Sequence, residues 1–227
     1  MRHGTGPRWK GQPGRMEVWY ATGSAEDGTG WWIHYEILAP RGGAPYVHGW
    51  AAVFPTDSAP SLARFGPKGC SGPPRGGVLD AGDATLHLGE GVSHLVGEVE
   101  ELSWDVEVTA TGAALYTFPR WAWERELLPG AQVVDLPGMG RGTISAGDTS
   151  YDVTGSAAQA RIFGHGSAQR WGWLHADLGG GDLLEVVAAV PHLPGGLLVP
   201  PRPVARLRHR GKDLPVEPLP GALTGRA

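Results

Sequence analysis

The chain has 227 residues, 37 of them Gly and 20 Pro, yet 41% are apolar and 10 are Trp, so it carries enough core-forming side chains to fold as one large β domain or two small ones. A net charge of −4, with 16 scattered Arg and 3 Lys, provides no basic surface for phosphates and excludes nucleic acid as the main partner. The single cysteine, Cys70, excludes an internal disulfide framework and any Cys-rich zinc or iron–sulfur site.

From the N-terminus, residues 1–14 are rich in Gly, Pro and Arg without an apolar run, and are expected to be disordered and to contain no secretory signal. Period-two alternation then predicts strands at Arg15–Gly23, Gly30–Ala39 and Tyr46–Pro55. Residues 57–83 hold most of this half's Gly, Pro and Ser and read as a long loop with one or two short strands, either roofing a barrel mouth or forming a variable surface excursion. Further strands are predicted at Thr85–Gly89, Val92–Val99, Leu102–Thr109 and Ala114–Phe118. Pro119–Pro129 reads as a short helix or a crossing strand, and the boundary between two β units is expected here. The second half predicts strands at Gly140–Ser145, Thr149–Thr154, Gln159–Gly164, Arg170–Leu178, Leu183–Pro191 and Val204–Arg210. Its most apolar window, Leu183–Val199, is broken by Glu185, Pro191, His192 and Pro194, so no membrane span is expected and the cytoplasm is the expected location. The expected organisation is a disordered 1–14, a β domain over 15–120, a linker over 121–134, a second β domain over 135–210 and a flexible tail over 211–227.

On a strand, residues i and i+2 share a face, so Trp171, Trp173, His175 and Asp177 line one side of theirs, opposite Gly172, Leu174, Ala176 and Leu178. Two indoles followed by an imidazole and a carboxylate suit either the wall of a ligand cavity or a satisfied polar core. The same parity groups Glu17 with Trp19, Trp32 with His34 and Glu36, and His48 with Trp50; these faces either meet inside one barrel and enclose acids among indoles or look out at solvent. The glycines of Gly138-Met139-Gly140-Arg141-Gly142 read as a turn, because the Lys-Ser/Thr of a phosphate loop is absent. No nucleophile elbow occurs, and neither a metal site nor a cofactor is expected.

Three opening segments, Met16-Glu17-Val18-Trp19-Tyr20, Gly28-Thr29-Gly30-Trp31-Trp32-Ile33-His34-Tyr35-Glu36 and His48-Gly49-Trp50-Ala51-Ala52-Val53-Phe54, resemble the first strands of the carotenoid 1,2-hydratase-like (AttH-like) proteins, and Gly164–Asp177 resembles their second-half signature. The resemblance covers residues 15 to 210. It implies an all-β fold of two lipocalin-like antiparallel barrels or half-barrels packed together, related to tocopherol cyclase, with the second barrel expected to be incomplete here because family members run longer. It also implies a Trp-lined barrel cavity for an apolar partner molecule of isoprenoid, lipid or polyketide type and, in the enzymatic branches, acid-initiated hydration or cyclisation. Under the catalytic reading Asp177 or Glu17 donates the proton, His175 orients it, and Trp171, Trp173 and Trp19 stabilise the cation. Under the binding reading Trp171, Trp173, Trp19, Trp32, His34 and Trp50 supply contact area and orientation.

Overall fold

The computed structural model describes residues 6–116, 120–126, 130–165, 168–191 and 202–214. The strands are β1 (Arg15–Ala25), β2 (Gly30–Ala39), β3 (Tyr46–Phe54), β4 (Ser61–Gly69), β5 (Val78–Asp80), β6 (Ala84–Leu88), β7 (Val92–Val99), β8 (Leu102–Ala110), β9 (Ala114–Tyr116), β10 (Gly130–Ala146), β11 (Thr149–Asp152), β12 (Gly155–Gly164), β13 (Ala168–Gly179), β14 (Asp182–Pro191), β15 (Arg202–His209) and β16 (Lys212–Leu214), with one helical turn, α1 (Arg120–Glu124). The fold is all-β. Ten antiparallel strands run in the order β4-β3-β2-β1-β12-β10-β8-β7-β6-β5 as a nearly closed barrel, with β9 and β11 paired onto β10. Lys68 Nζ reaches Asp80 Oδ2 at 2.6 Å between the two end strands of that order. A second sheet, β13-β14-β15-β16, shares no strand pairing with the first among the described residues.

Four placements differ from the sequence reading. Strands β10, β11 and β12, expected in the second unit, belong to the first sheet, so the change of sheet falls between β12 and β13 rather than at 121–134. The cause is a long-range pairing: β12 lies antiparallel to β1, with Met16 opposite Gly164, while β10 pairs with β12 up to Gly140, across an irregularity between Asp135 and Gly138, and changes partner from β9 to β8 on its other edge. The glycine run 138–142 is therefore part of a strand that changes partner, not a turn. The expected loop 57–83 contains β4, a full partner of β3. Of the expected disordered N-terminus, residues 6–14 are ordered against the barrel; residues 1–5, Gly166-Ser167 of the second-half signature and the tail from 215 lie outside the described residues.

Register decides which side chains meet, because directly opposed residues of an antiparallel pair share a face. Trp19 opposes Tyr35 and Ala21 opposes Ile33, so Glu17, Trp19 and Ala21 share the inner face with Trp31, Ile33, Tyr35 and Ile37. Tyr20 opposes His34, which opposes Trp50, while Glu36 opposes His48; these lie on the outer face with Trp32. The expected grouping of Glu17 and Trp19 with Trp32, His34 and Trp50 is thus divided by the wall of the barrel.

Among the described residues the inner face is packed with the protein's own rings, where the sequence reading expects a Trp-lined cavity. Tyr35, Phe65 and Trp104 form a chain with centroid separations of 4.9 and 5.6 Å. The Tyr35 hydroxyl donates to the Thr85 carbonyl at 3.0 Å, and burial drives its pKa far above the phenol range. Between Trp19, Leu86, Ser93, Leu95 and Gln159 a space of about 10 Å³ remains, room for roughly one water. Gly49 shows how close this packing is, since a methyl group there would fall on the His34 carbonyl oxygen and the Phe65 ring. Gly49→Ala is expected to cost about 3 kcal/mol or more in urea denaturation, and a loss under 1 kcal/mol would contradict the packing described.

Candidate functional site at the seam between the two sheets

The second sheet lays one face on the outside of the barrel. Its inner face carries Trp171, Trp173, His175 and Asp177 from β13, as alternation predicts, with Leu183, Glu185 and Val187 opposing them on β14 and Val204 and Arg206 on β15. Outside the contact, Leu174 and Leu178 are exposed. The barrel contributes Met16, Val18 and Tyr20 of β1, Ala158 and Ala160 of β12, and Trp32 and Leu38 of β2; together with Leu183 and Trp173 they form a second apolar cluster.

Aromatic rings dominate the seam. Trp173 meets Tyr20 edge-on at 5.3 Å and Trp32 at 5.5 Å, and stacks on His175 at 5.8 Å. Trp32 lies 5.0 Å from Trp50, which stacks on His34 at 5.5 Å, and His34 in turn stacks on Tyr20 at 6.4 Å. Trp171 is 61% exposed and touches Trp32 at 6.4 Å, so it stands at the open margin of the cluster.

Two carboxylate and imidazole centres flank these rings. Glu185 is wholly buried; it accepts the indole N–H of Trp173, and its Oε2 lies 3.0 Å from His175 Nδ1. Arg206 is its direct neighbour in register on β15, and the same guanidinium donates to the Tyr116 carbonyl at 3.2 Å. On the barrel side Glu36 Oε2 lies 3.4 Å from His34 Nε2 and 3.7 Å from His48 Nε2. Among the described residues no group of three His, Cys, Asp or Glu side chains suits a metal ion.

The sequence-predicted residues separate accordingly. Trp32, His34, Trp50, Trp173 and His175 come together at the seam, with Trp171 at its margin. Asp177 is exposed and accepts the Ser156 hydroxyl at 2.6 Å and the Gly179 N–H at 2.8 Å; these bonds, in that order, hold its pKa below the usual aspartate range, opposite to what a proton donor needs. The stability it contributes is present above the unfolded aspartate pKa and fades as pH falls through its lowered folded value. Asp177→Asn is therefore expected to cost a little stability at pH 7 and none in strong acid, measured by thermal unfolding at both pH values.

Glu17 and Trp19 lie elsewhere. Glu17 is buried at one end of the barrel, paired with Arg161 and accepting the backbone N–H groups of Arg8 and Trp9, each at 2.8 Å. Trp19 packs in the barrel core, its ring 5.4 Å from the Arg161 guanidinium. At the far end, Leu62, Val99, Glu100, Glu101 and Gly147 border an open recess of about 280 Å³ that contains no indole. The sequence reading missed Glu185 as a site residue, and the one available signal was a lone carboxylate within the apolar run Leu183–Val190.

No protein-family model matches the chain. Uncharacterised proteins of two Mycobacterium tuberculosis strains, CDC 1551 / Oshkosh and H37Rv, are each 47% identical over 217 residues, which is 94% of this chain and 65% of theirs. The chain therefore spans a little under two thirds of the length of these relatives. Among solved structures, an AttH candidate from Nitrosomonas europaea superposes with a TM-score of 0.65 at 17% identity, covering 88% of this chain and 67% of that one. CghA with Sch210972 gives 0.60 at 13% identity over 88% and 59% of the two chains, and kievitone hydratase from Nectria haematococca gives 0.58 at 12% over 90% and 65%. At these identities the likeness is one of fold.

Proposed function

We propose that the chain binds an apolar, ring-containing small molecule of isoprenoid or polyketide type at the seam, on the surface formed by Trp50, Trp32 and Trp171. The observation that carries this reading is the placement of Trp171. A large indole at the margin of an aromatic cluster, mostly in water yet against Trp32, is what an apolar ligand would cover. The solved structures of the same fold support it, since one is of kievitone hydratase and another is of CghA with Sch210972.

A second reading, acid-initiated hydration or cyclisation, is favoured by one feature: the carboxyl of Glu185 is withdrawn from water and joined to His175, a pair that can hold and pass a proton, with ring faces nearby for a developing cation. In this reading the acid is Glu185 with His175, in place of Asp177 or Glu17.

Titration with β-ionone, a small isoprenoid ketone, is expected to quench part of the tryptophan emission, and Trp171→Phe to remove most of that quenching while leaving the unfolding temperature unchanged. Quenching that persists in full in Trp171→Phe would place the ligand elsewhere, and the absence of any saturable quenching would overturn the binding reading.

A further inference from the structure

We infer that the ligand of this seam carries a neutral hydrogen-bond-accepting oxygen, a ring carbonyl or ether, which docks on Nε1 of Trp32. This rests on the binding reading above and adds to it the polar requirement.

Two of the indoles at the seam are treated differently. The N–H of Trp173 donates to Glu185. That of Trp32 is withdrawn from water but meets no acceptor among the described residues. A buried donor without a partner is uncommon in folded proteins, because it has given up water and received nothing in return. Such a group in a cluster of rings is the feature expected where a ligand atom completes the bonding.

The surroundings of Trp32 narrow the chemistry. Tyr20, Trp50 and Trp173 stand 5.4, 5.0 and 5.5 Å from it, and each is held: Tyr20 is buried, Trp50 is stacked within 8° of His34, and Trp173 is bonded to Glu185. Trp171, by contrast, is exposed and sits on β13, which ends the order of its sheet, so it is the neighbour that can swing aside for a flat ring system. The charge of the acceptor follows from Glu36, which lies on the same face of β2 four residues along and disfavours a second anion there. A pure hydrocarbon could cover the rings but would leave the Trp32 donor unpaired. A neutral carbonyl or ether oxygen in the same skeleton would satisfy it.

The test compares fluorene with fluoren-9-one, which share a tricyclic skeleton and differ by one carbonyl, by equilibrium dialysis against the full chain. Fluorenone is expected to bind about tenfold tighter or better, and Trp32→Phe, which keeps a ring but removes the N–H, is expected to equalise the two by weakening fluorenone alone. Equal binding to the unaltered protein, or a preference that survives Trp32→Phe, overturns the inference and leaves the binding reading standing. Binding of neither compound overturns both. Should Trp32→Phe fail to fold, the unaltered protein labelled with nitrogen-15 decides the same question: fluorenone should shift the indole proton of Trp32 downfield and fluorene should not. An indole proton that responds alike to both compounds overturns the inference.

Discussion

Glu17→Leu is expected to destabilise the protein by about 3–5 kcal/mol, a large part of the 5–15 kcal/mol that holds a typical domain folded. The carboxylate is wholly buried and performs three tasks at once, pairing with Arg161 and accepting the N–H groups of Arg8 and Trp9. Removing it takes its carboxylate away from the buried Arg161 guanidinium, which burial already pushes well below its ordinary pKa, with repulsion from Arg8 adding to the effect. It also frees the segment that seats Trp9 in the core, and with it the contact of the Arg8 guanidinium over Trp123 at 4.5 Å. Glu17→Leu/Arg161→Met should cost much less than the sum of the single changes, because neither partner is then left as an isolated buried charge. Urea denaturation of the single and double variants measures this directly. A Glu17→Leu cost below 1 kcal/mol, or strictly additive single changes, would show that the pair does not hold this end of the barrel.

Glu17 also shows what a sequence leaves open. Alternation correctly places it beside Trp19 on one face of β1, and places Trp32, His34 and Glu36 together on one face of β2. Whether those two faces are the same depends on register, and a slip of one residue exchanges inside for outside. Since Trp19 opposes Tyr35, the two sets lie on opposite sides of the barrel wall. Strand β4 is hard to see in the sequence because Gly66-Pro67 interrupts it and only Ala63 and Phe65 of its side chains are buried. The sheet boundary falls later than composition suggests for a different reason. The partner that keeps β12 in the barrel is β1, far away in sequence, and composition does not record long-range pairing. By contrast the shared face of β13, the all-β class and most strand positions are legible, because half-buried strands write their period directly into the order of apolar and polar residues.

At the seam, Glu185→Leu and Glu185→Gln are expected to give opposite outcomes for the second sheet. Leucine fills similar space but leaves the Trp173 indole N–H and His175 without their carboxylate, in a region where water does not compensate. A loss of about 3–5 kcal/mol follows, and because these bonds lie within β13–β15, it should appear as faster hydrogen exchange in those strands while β2 and β3 keep their protection. Glutamine retains a carbonyl that can accept from Trp173, so the sheet should remain seated and the near-ultraviolet signal of the stacked rings should persist. This makes Glu185→Gln the discriminating variant for chemistry. If the seam protonates a bound alkene, incorporation of solvent deuterium into that alkene, followed by mass spectrometry, should fall by about 10²–10⁴ in Glu185→Gln with binding retained. It should be unchanged in Asp177→Asn, whose carboxylate is exposed and held ionised by Ser156 and Gly179. Full incorporation in Glu185→Gln would remove Glu185 as the acid and leave the Glu36 carboxyl, beside His34 and His48 on the barrel wall, as the next group to replace.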